Sequence, residues 1–256
     1  MAEREESVLF EVDDGVVIIT LNEPHNRNAL GRDVRKGLFA AFRKFEADPS
    51  LSVAVLTGAG SSFCAGGNLK EMAAEQLRVP PPDYAFQLGR NVPSTKPVIA
   101  AVAGAALAGG FLLAQTCDLC IASEDARFGI AEVKWGRGAP WAAPLLWMVP
   151  QRIMLELLLT GEPIDADRAF QIGLVNEVVA AGDLLPRAVA LARTIAGNAP
   201  LSVRAARRMV YLTAELPRSA ALEAADAIYE PVYLSDDAQE GPLAFREKRK
   251  PMWTGR

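Results

Sequence analysis

Three places in this chain hold residues whose type and spacing suit chemistry. Two are rich in glycine: Phe63-Cys64-Ala65-Gly66-Gly67-Asn68, and the stretch PVIAAVAGAALAGGFLLAQTCD from Pro97 to Asp118, which carries Gly104, Gly109 and Gly110. The third is Glu132, set in Ile130-Ala131-Glu132-Val133 with apolar neighbours on both sides. Each glycine stretch leads into an expected helix start. The first backbone N–H groups of a helix lack intrahelical partners, and the positive end of the helix dipole points the same way. With no side chain to block approach, such a turn suits a developing negative charge on an oxygen. Close packing of helix on sheet is the other use of small residues there. A carboxylate in an apolar frame costs free energy unless it is paired or used. Glu132 therefore either pairs with Lys134 or Arg137 or moves protons.

Several other chemistries are excluded. The spacing Gly104…Gly109-Gly110 is not G-x-G-x-x-G, and no Gly-Lys-Ser/Thr follows to cradle a phosphate. The single histidine, His25, lies in the polar loop Asn22–Asn28 with no nucleophile motif to serve, so a histidine-based triad is not expected. Cys117 and Cys120 form one C-x-x-C, but without a second pair or more histidines no metal site is expected. Those two thiols and Cys64 read as reduced and mostly buried, as in a cytoplasmic protein. The net charge of −4 gives no reason to expect nucleic acid or an anionic membrane as partner. The beginning, MAEREESVLF, lacks the apolar core of a signal peptide. From Val98 to Ala114 no side chain is charged or hydrogen-bonding, which approaches the roughly 20 residues of a membrane-spanning helix. The β-branched start and the glycines argue instead for a buried strand, a turn and an apolar helix.

The elements that must position these residues follow from periodicity. The 256 residues, half of them hydrophobic and 23% charged, suffice for one large domain or a domain with an appendage. Val8–Val12 and Val16–Leu21 read as a hairpin about Asp13-Asp14-Gly15. Leu30, Val34, Leu38, Phe42 and Phe45 mark an amphipathic helix. Ser52–Thr57 and Asp118–Ala122 read as strands, Ala126–Gly129 as a short extended piece, and Leu69–Leu77 as a helix that Pro80-Pro81-Pro82 closes off as a loop. Gln151–Leu159 is helical, Asp165 caps a helix running to Gln171, and Leu174–Val179 returns to strand. Leu184–Ala196, Leu201–Leu212 and Ser219–Leu234 are helices. The tail Gly241–Arg256 carries the charged cluster Arg246-Glu247-Lys248-Arg249-Lys250, which reads as a solvated face. Composition shifts near Asn198-Ala199-Pro200, which divides the chain into 1–197 and 198–256.

Several stretches together resemble the enoyl-CoA hydratase/isomerase, or crotonase, family: Arg27-Asn28-Ala29-Leu30; FCAGGNLKEM from Phe63; AVAGAALAGG; CDLCIAS with ARFGIAEVKWG; LLLTGEPIDADRAFQIGLVNEVV from Leu157; and the tail AFREKRKPMWTGR. The likeness runs in order along nearly the whole chain. It implies an α/β fold, a crotonase-like spiral of ββα units (1–197) that binds acyl-CoA, followed by a helical C-terminal trimerisation region (198–256), with homotrimers or hexamers as the assembly. It implies that the N–H groups of Gly67 and Gly109 hold a thioester oxygen as an enolate forms. Arg27, Ala65, Leu69, Lys70, Phe245 and Lys248 match positions that bind CoA. Trp135, Trp141 and Leu112 would line the acyl pocket, unless the two tryptophans are core residues. No cofactor is implied beyond the CoA thioester, which is the substrate.

One position departs from the family pattern. Family hydratases carry two glutamates; one matches Glu132, and the other falls on Leu112, which cannot move a proton or hold a water. The resemblance therefore implies Glu132 as single general acid/base, as in family isomerases that shift a double bond by removing a proton at C2 and returning it at C4. Hydratase-like activity and an acyl-CoA binder without turnover are the alternatives. The EVKWG segment is also similar to hydroxycinnamoyl-CoA hydratase-lyases, which have serine at the Leu112 position, so an aromatic acyl group is a further alternative.

Overall fold

The computed structural model describes residues 6–256. Six strands form the main sheet: β1 (Val8–Asp13), β2 (Val16–Leu21), β3 (Val53–Gly58), β4 (Val98–Val102), β6 (Leu119–Ser123) and β9 (Glu177–Val179), adjacent in that order. Only the β1–β2 hairpin is antiparallel; every later pairing is parallel. Alternate residues along β2, β3 and β4 are buried on opposite faces. Val17, Ile19, Ala54, Leu56, Ala100 and Val102 join one core, together with Val34, Leu38, Phe42 and Phe45 of α1 (Arg32–Ala47). Val16, Val53, Val55, Ile99 and Ala101 join the other, against Leu184, Ala188 and Ala192 of α6 (Leu184–Ala196). The four-residue spacing on α6 puts all three on one helical stripe, and burial on both faces explains why β4 and the first four residues of β3 are unbroken apolar runs.

A second, smaller sheet lies beside the glycine-rich loops. Its strands are β5 (Ala105–Leu107), β7 (Arg127–Gly129) and β8 (Ile164–Asp165), with β5 and β7 parallel. The apolar run thus divides into β4, β5 and an eight-residue helix, α3 (Gly109–Thr116). Among the described residues no helix is long and apolar enough to cross a membrane.

Some boundaries differ from those the sequence predicts. The helix expected over Leu69–Leu77 is α2 (Leu69–Ala74), because Asn68 caps its start while the chain turns away at Gln76, where φ is +49°. Leu30 lies outside α1, in a bridge to Gly67. The strand expected from Leu174 begins only at Glu177. Helices α4 (Gln151–Thr160), α5 (Ala166–Gln171), α7 (Pro200–Thr213) and α8 (Arg218–Tyr233) follow the periodicity to within a residue. The tail is a further helix, α9 (Asp237–Glu247), despite Gly241 and Pro242 inside it. Asp237 is buried and ties the last residues back, accepting hydrogen bonds from the N–H groups of Thr254 (2.7 Å) and Gly255 (3.0 Å).

The helical C-terminal part is clamped to the sheet through Asp118. Its Oδ1 accepts from Arg207 Nε (2.7 Å) and the Tyr211 hydroxyl (2.8 Å), both on α7, while Oδ2 accepts from the Val98 N–H (2.8 Å). Arg207 also donates to Ser94 Oγ at 2.7 Å. The Asp118 and Arg207 side chains are 14% and 13% exposed, so losing one strands a desolvated partner. Arg207→Ala is expected to lower unfolding stability by about 3 kcal/mol, read from urea denaturation; a change within about 0.5 kcal/mol, the range of an ordinary surface substitution, would show that the clamp carries no load.

Candidate active site

Four extended segments converge on one edge. Cys64 and Ala106 form a parallel bridge, with Cys64 N–H donating to Ala105 O (2.8 Å) and Leu107 N–H donating to Cys64 O (3.0 Å). On one side Leu30 bridges Gly67, and Leu30 N–H donates to Gly66 O (2.7 Å). On the other side β5 pairs with β7, Leu107 opposite Gly129, and Ala108 N–H donates to Gly129 O (2.8 Å). Because all of these pairings are parallel, the chain leaves each segment at the same end. It leaves one toward Gly67 and α2, another toward Gly109 and α3, a third toward the 3-10 turn Ala131–Trp135 that carries Glu132, and the fourth, at Leu30, toward α1. Sites in α/β folds gather at such carboxyl ends of parallel strands.

The two glycine loops touch. A Cβ on Gly66, where φ is +102°, would fall 2.7 Å from Leu107 O and 3.5 Å from Gly109 N; a Cβ on Gly109 would fall 3.6 Å from Gly67 N. Among the described residues neither the Gly67 nor the Gly109 N–H donates to a main-chain carbonyl. Ala108, which precedes α3, has φ +51° and ψ −119°, a conformation costly for a residue with a Cβ. Such strain persists where the surroundings enforce it, and here the bond to Gly129 does.

Glu132 is not the salt-bridged surface residue that its neighbours allow. Lys134 pairs with Glu162 (2.8 Å), and Arg137 donates to Leu77 O (2.8 Å), tying this segment to the chain beyond α2. Instead, Glu132 Oε1 accepts from the Trp141 indole N–H at 3.0 Å, and Oε2 is buried with no hydrogen-bond partner among the described residues. Burial pushes the carboxyl above its ordinary range, opposed by hydrogen bonds from its own backbone N–H and from Trp141.

The remaining expected site residues fall into groups. Arg27 is exposed, and its carbonyl accepts from Ala65 N–H (2.9 Å), so these two adjoin the Gly66–Gly67 loop. Leu69 and Lys70 stand exposed in the first turn of α2. Leu112 is buried in the first turns of α3 within the main core, which also holds Trp141. Trp135 is 64% exposed and so is not a core residue. Phe245, 87% exposed, and Lys248, at the left-handed end of α9, lie on the tail helix; among the described residues no hydrogen bond or ion pair joins them to the Arg27–Lys70 group. Cys64, Cys117 and Cys120 are free and buried, and burial pushes the Cys64 and Cys120 thiols up to about 12. Among the described residues no group of histidine, cysteine or acidic side chains is placed to hold a metal. Gln115 escaped the sequence reading; a polar residue ending an otherwise apolar helical run was its signal.

The enoyl-CoA hydratase/isomerase family model matches residues 11–256. The chain belongs to the enoyl-CoA hydratase/isomerase family. Its similarity to an enoyl-CoA hydratase of Mycobacterium tuberculosis, EchA19, is 40% identity over 97% of this chain and 96% of that protein. It is 36% identical to (E)-benzylidenesuccinyl-CoA hydratase of Thauera aromatica, over 97% of this chain and 99% of the relative. With carnitinyl-CoA dehydratase of Proteus mirabilis it shares 39% identity, over 94% of this chain and 95% of the other. A crystal structure of enoyl-CoA hydratase from Mycobacterium tuberculosis H37Rv superposes with a TM-score of 0.91 at 42% identity, covering 98% of this chain and 100% of that one. The architecture is the crotonase fold, as the sequence resemblance implies.

Proposed function

We propose that this family member acts on an acyl-CoA thioester, with the Gly67 and Gly109 N–H groups stabilising an enolate oxygen and Glu132 as the single general acid/base. The observation that carries this reading is the meeting of the two glycine loops at the edge where the Glu132 turn begins. Water addition and removal is the net reaction supported by the relatives' names. In that direction a water oxygen bonds to C3 and its proton passes to Glu132. The C2–C3 π electrons move toward the thioester oxygen, and Glu132 then protonates C2, so one carboxylate makes both transfers. Leu112 supports a second reading, a double-bond shift in which Glu132 takes a proton from C2 and returns it to C4. Solvent deuterium uptake at C2 of butyryl-CoA tests what both readings share; absence of uptake over a panel of acyl-CoA esters would leave an acyl-CoA binder.

On the same reading Arg27, Ala65, Leu69 and Lys70 hold CoA, and Phe245 and Lys248 take part from the tail, across a homotrimer or hexamer built by residues 198–256. The buried free thiols support a reducing, cytoplasmic setting. No cofactor beyond the thioester is required. Gly109→Ala puts a methyl 3.6 Å from the Gly67 nitrogen and 2.7 Å from Leu30 Cδ1. The leucine end can yield, so folding should survive. The oxygen site cannot, so kcat for C2 exchange should fall by about 10²-fold, the loss typical of one oxyanion donor. A rate within twofold of the parent would remove Gly109 from the site.

A further inference from the structure

We propose that Trp141 is the positioning residue of Glu132, braced by Gln115, and that this pair leaves Oε2 as the oxygen that transfers the proton. The inference rests on the assignment of Glu132 as the base and adds how that base is held. The indole N–H occupies Oε1 at 3.0 Å, while Oε2 is buried and unpartnered among the described residues. Trp141 itself is 9% exposed and packs edge-on against Phe111 of α3, with ring centroids 6.1 Å apart at 67°. Its carbonyl accepts from Gln115 Nε2 at 3.0 Å, and Gln115 is 7% exposed, with its own Oε1 unpartnered. Burying an amide that is only half satisfied is costly, so its grip on the Trp141 main chain has a stability price that position alone would not require.

The choice of donor matters. An indole donates one hydrogen bond and neither accepts one nor changes charge in the working pH range. It therefore orients a carboxylate without competing for its proton. An arginine or lysine in the same place would orient it too, but would hold it ionised and make it a weak base. Lys134 and Arg137 are turned to Glu162 and Leu77 O, and among the described residues neither Arg152 of the adjacent α4 forms an ion pair with Glu132 nor Glu156 a hydrogen bond to it. Gln115 lies on the helix that begins at Gly109. One rigid element thus sets an amide of the oxygen site at its start and, through Trp141, the bearing of the carboxylate.

The test uses Trp141→Phe, which keeps the ring and removes the N–H, and Gln115→Leu. Infrared difference titration against Glu132→Gln follows the Glu132 carboxyl directly, and the pH profile of butyryl-CoA exchange follows it through turnover. In Trp141→Phe the carboxyl midpoint should rise by about one pH unit, the size of a lost hydrogen bond to a charged group. The exchange kcat should fall roughly 10-fold with KM little changed, and Gln115→Leu should shift the midpoint the same way by less. An unmoved midpoint in folded Trp141→Phe overturns the proposal. If that variant does not fold, an unmoved midpoint in Gln115→Leu overturns it. The infrared titration needs no turnover, so a wild-type protein without exchange but with the shifted midpoints would sink the catalytic reading and leave the positioning of Glu132 standing.

Discussion

Glu132→Gln is expected to reduce kcat/KM on any CoA thioester this protein turns over by about 10³-fold, within the range that one acid–base group supplies, and to abolish C2 deuterium exchange. The substitution changes little else. Glutamine offers the same oxygen to the Trp141 N–H and fills the same volume, so CoA affinity measured by calorimetry should stay within a few-fold of wild type. The pH behaviour follows from burial. Wild-type kcat/KM should have an acid limb centred above the ordinary glutamate value of about 4.3, because burial raises the carboxyl and only the ionised form accepts a proton. Stability moves in the opposite sense. A carboxyl whose folded pKa is raised contributes stability fully below its unfolded pKa and loses it as pH rises through the folded value. The melting temperature of Glu132→Gln relative to wild type should therefore climb as pH rises above the ordinary glutamate value of about 4.3. Unchanged rates would remove Glu132 from the mechanism. A relative melting temperature flat with pH would show that the carboxyl is not strained by burial.

Gly110→Ala is expected to destabilise the fold strongly. Its Cβ would lie 2.1 Å from Cys64 O and 2.9 Å from Cys64 C, both main-chain atoms fixed by the Cys64–Ala106 bridge. Neither can give way as a side-chain tip can, so the helix start and the Gly66–Gly67 loop must separate. Overpacking of this kind costs about 3 kcal/mol or more, a fall in melting temperature of roughly 6–12 °C for a chain of this length, measured by circular dichroism. Gly182→Ala, with nothing within 4 Å of its Cβ and no positive φ, is the matched control and should shift it by less than about 2 °C. A Gly110→Ala protein as stable as that control would mean the two loops do not approach as described.

Much of this arrangement was legible in the chain itself. The strands of the main sheet announce themselves as apolar runs, and α1 and α6 as four-residue stripes, because burial of a face dictates composition. The glycines stood out because only they allow two backbone segments to touch, and Glu132 because charge is scarce among apolar residues. What stayed hidden has a different cause. Strand β5 is three residues, two alanines and a leucine, too short for any period. Helix α9 contains Gly241 and Pro242, which read as breakers, and is held by Asp237 reaching residues 17 and 18 positions away. The Arg207–Asp118 clamp spans 89 positions, and the Trp141–Glu132 bond crosses a turn with no repeating pattern. Local propensity carries no trace of such pairings; only the folded chain brings them together.

The parallel ends of the four segments carry a consequence for how this scaffold can diversify. What grips the oxygen in the proposed mechanism is main chain, which no codon change can alter in kind. Leu112, Glu132 and Trp141 are side chains hung on the elements leaving that edge, and each can be exchanged while the amides stay where they are. On the proposed mechanism a catalogue of reactions can thus grow around one fixed grip, with side chains such as those on the first turn of α3 as the part that varies.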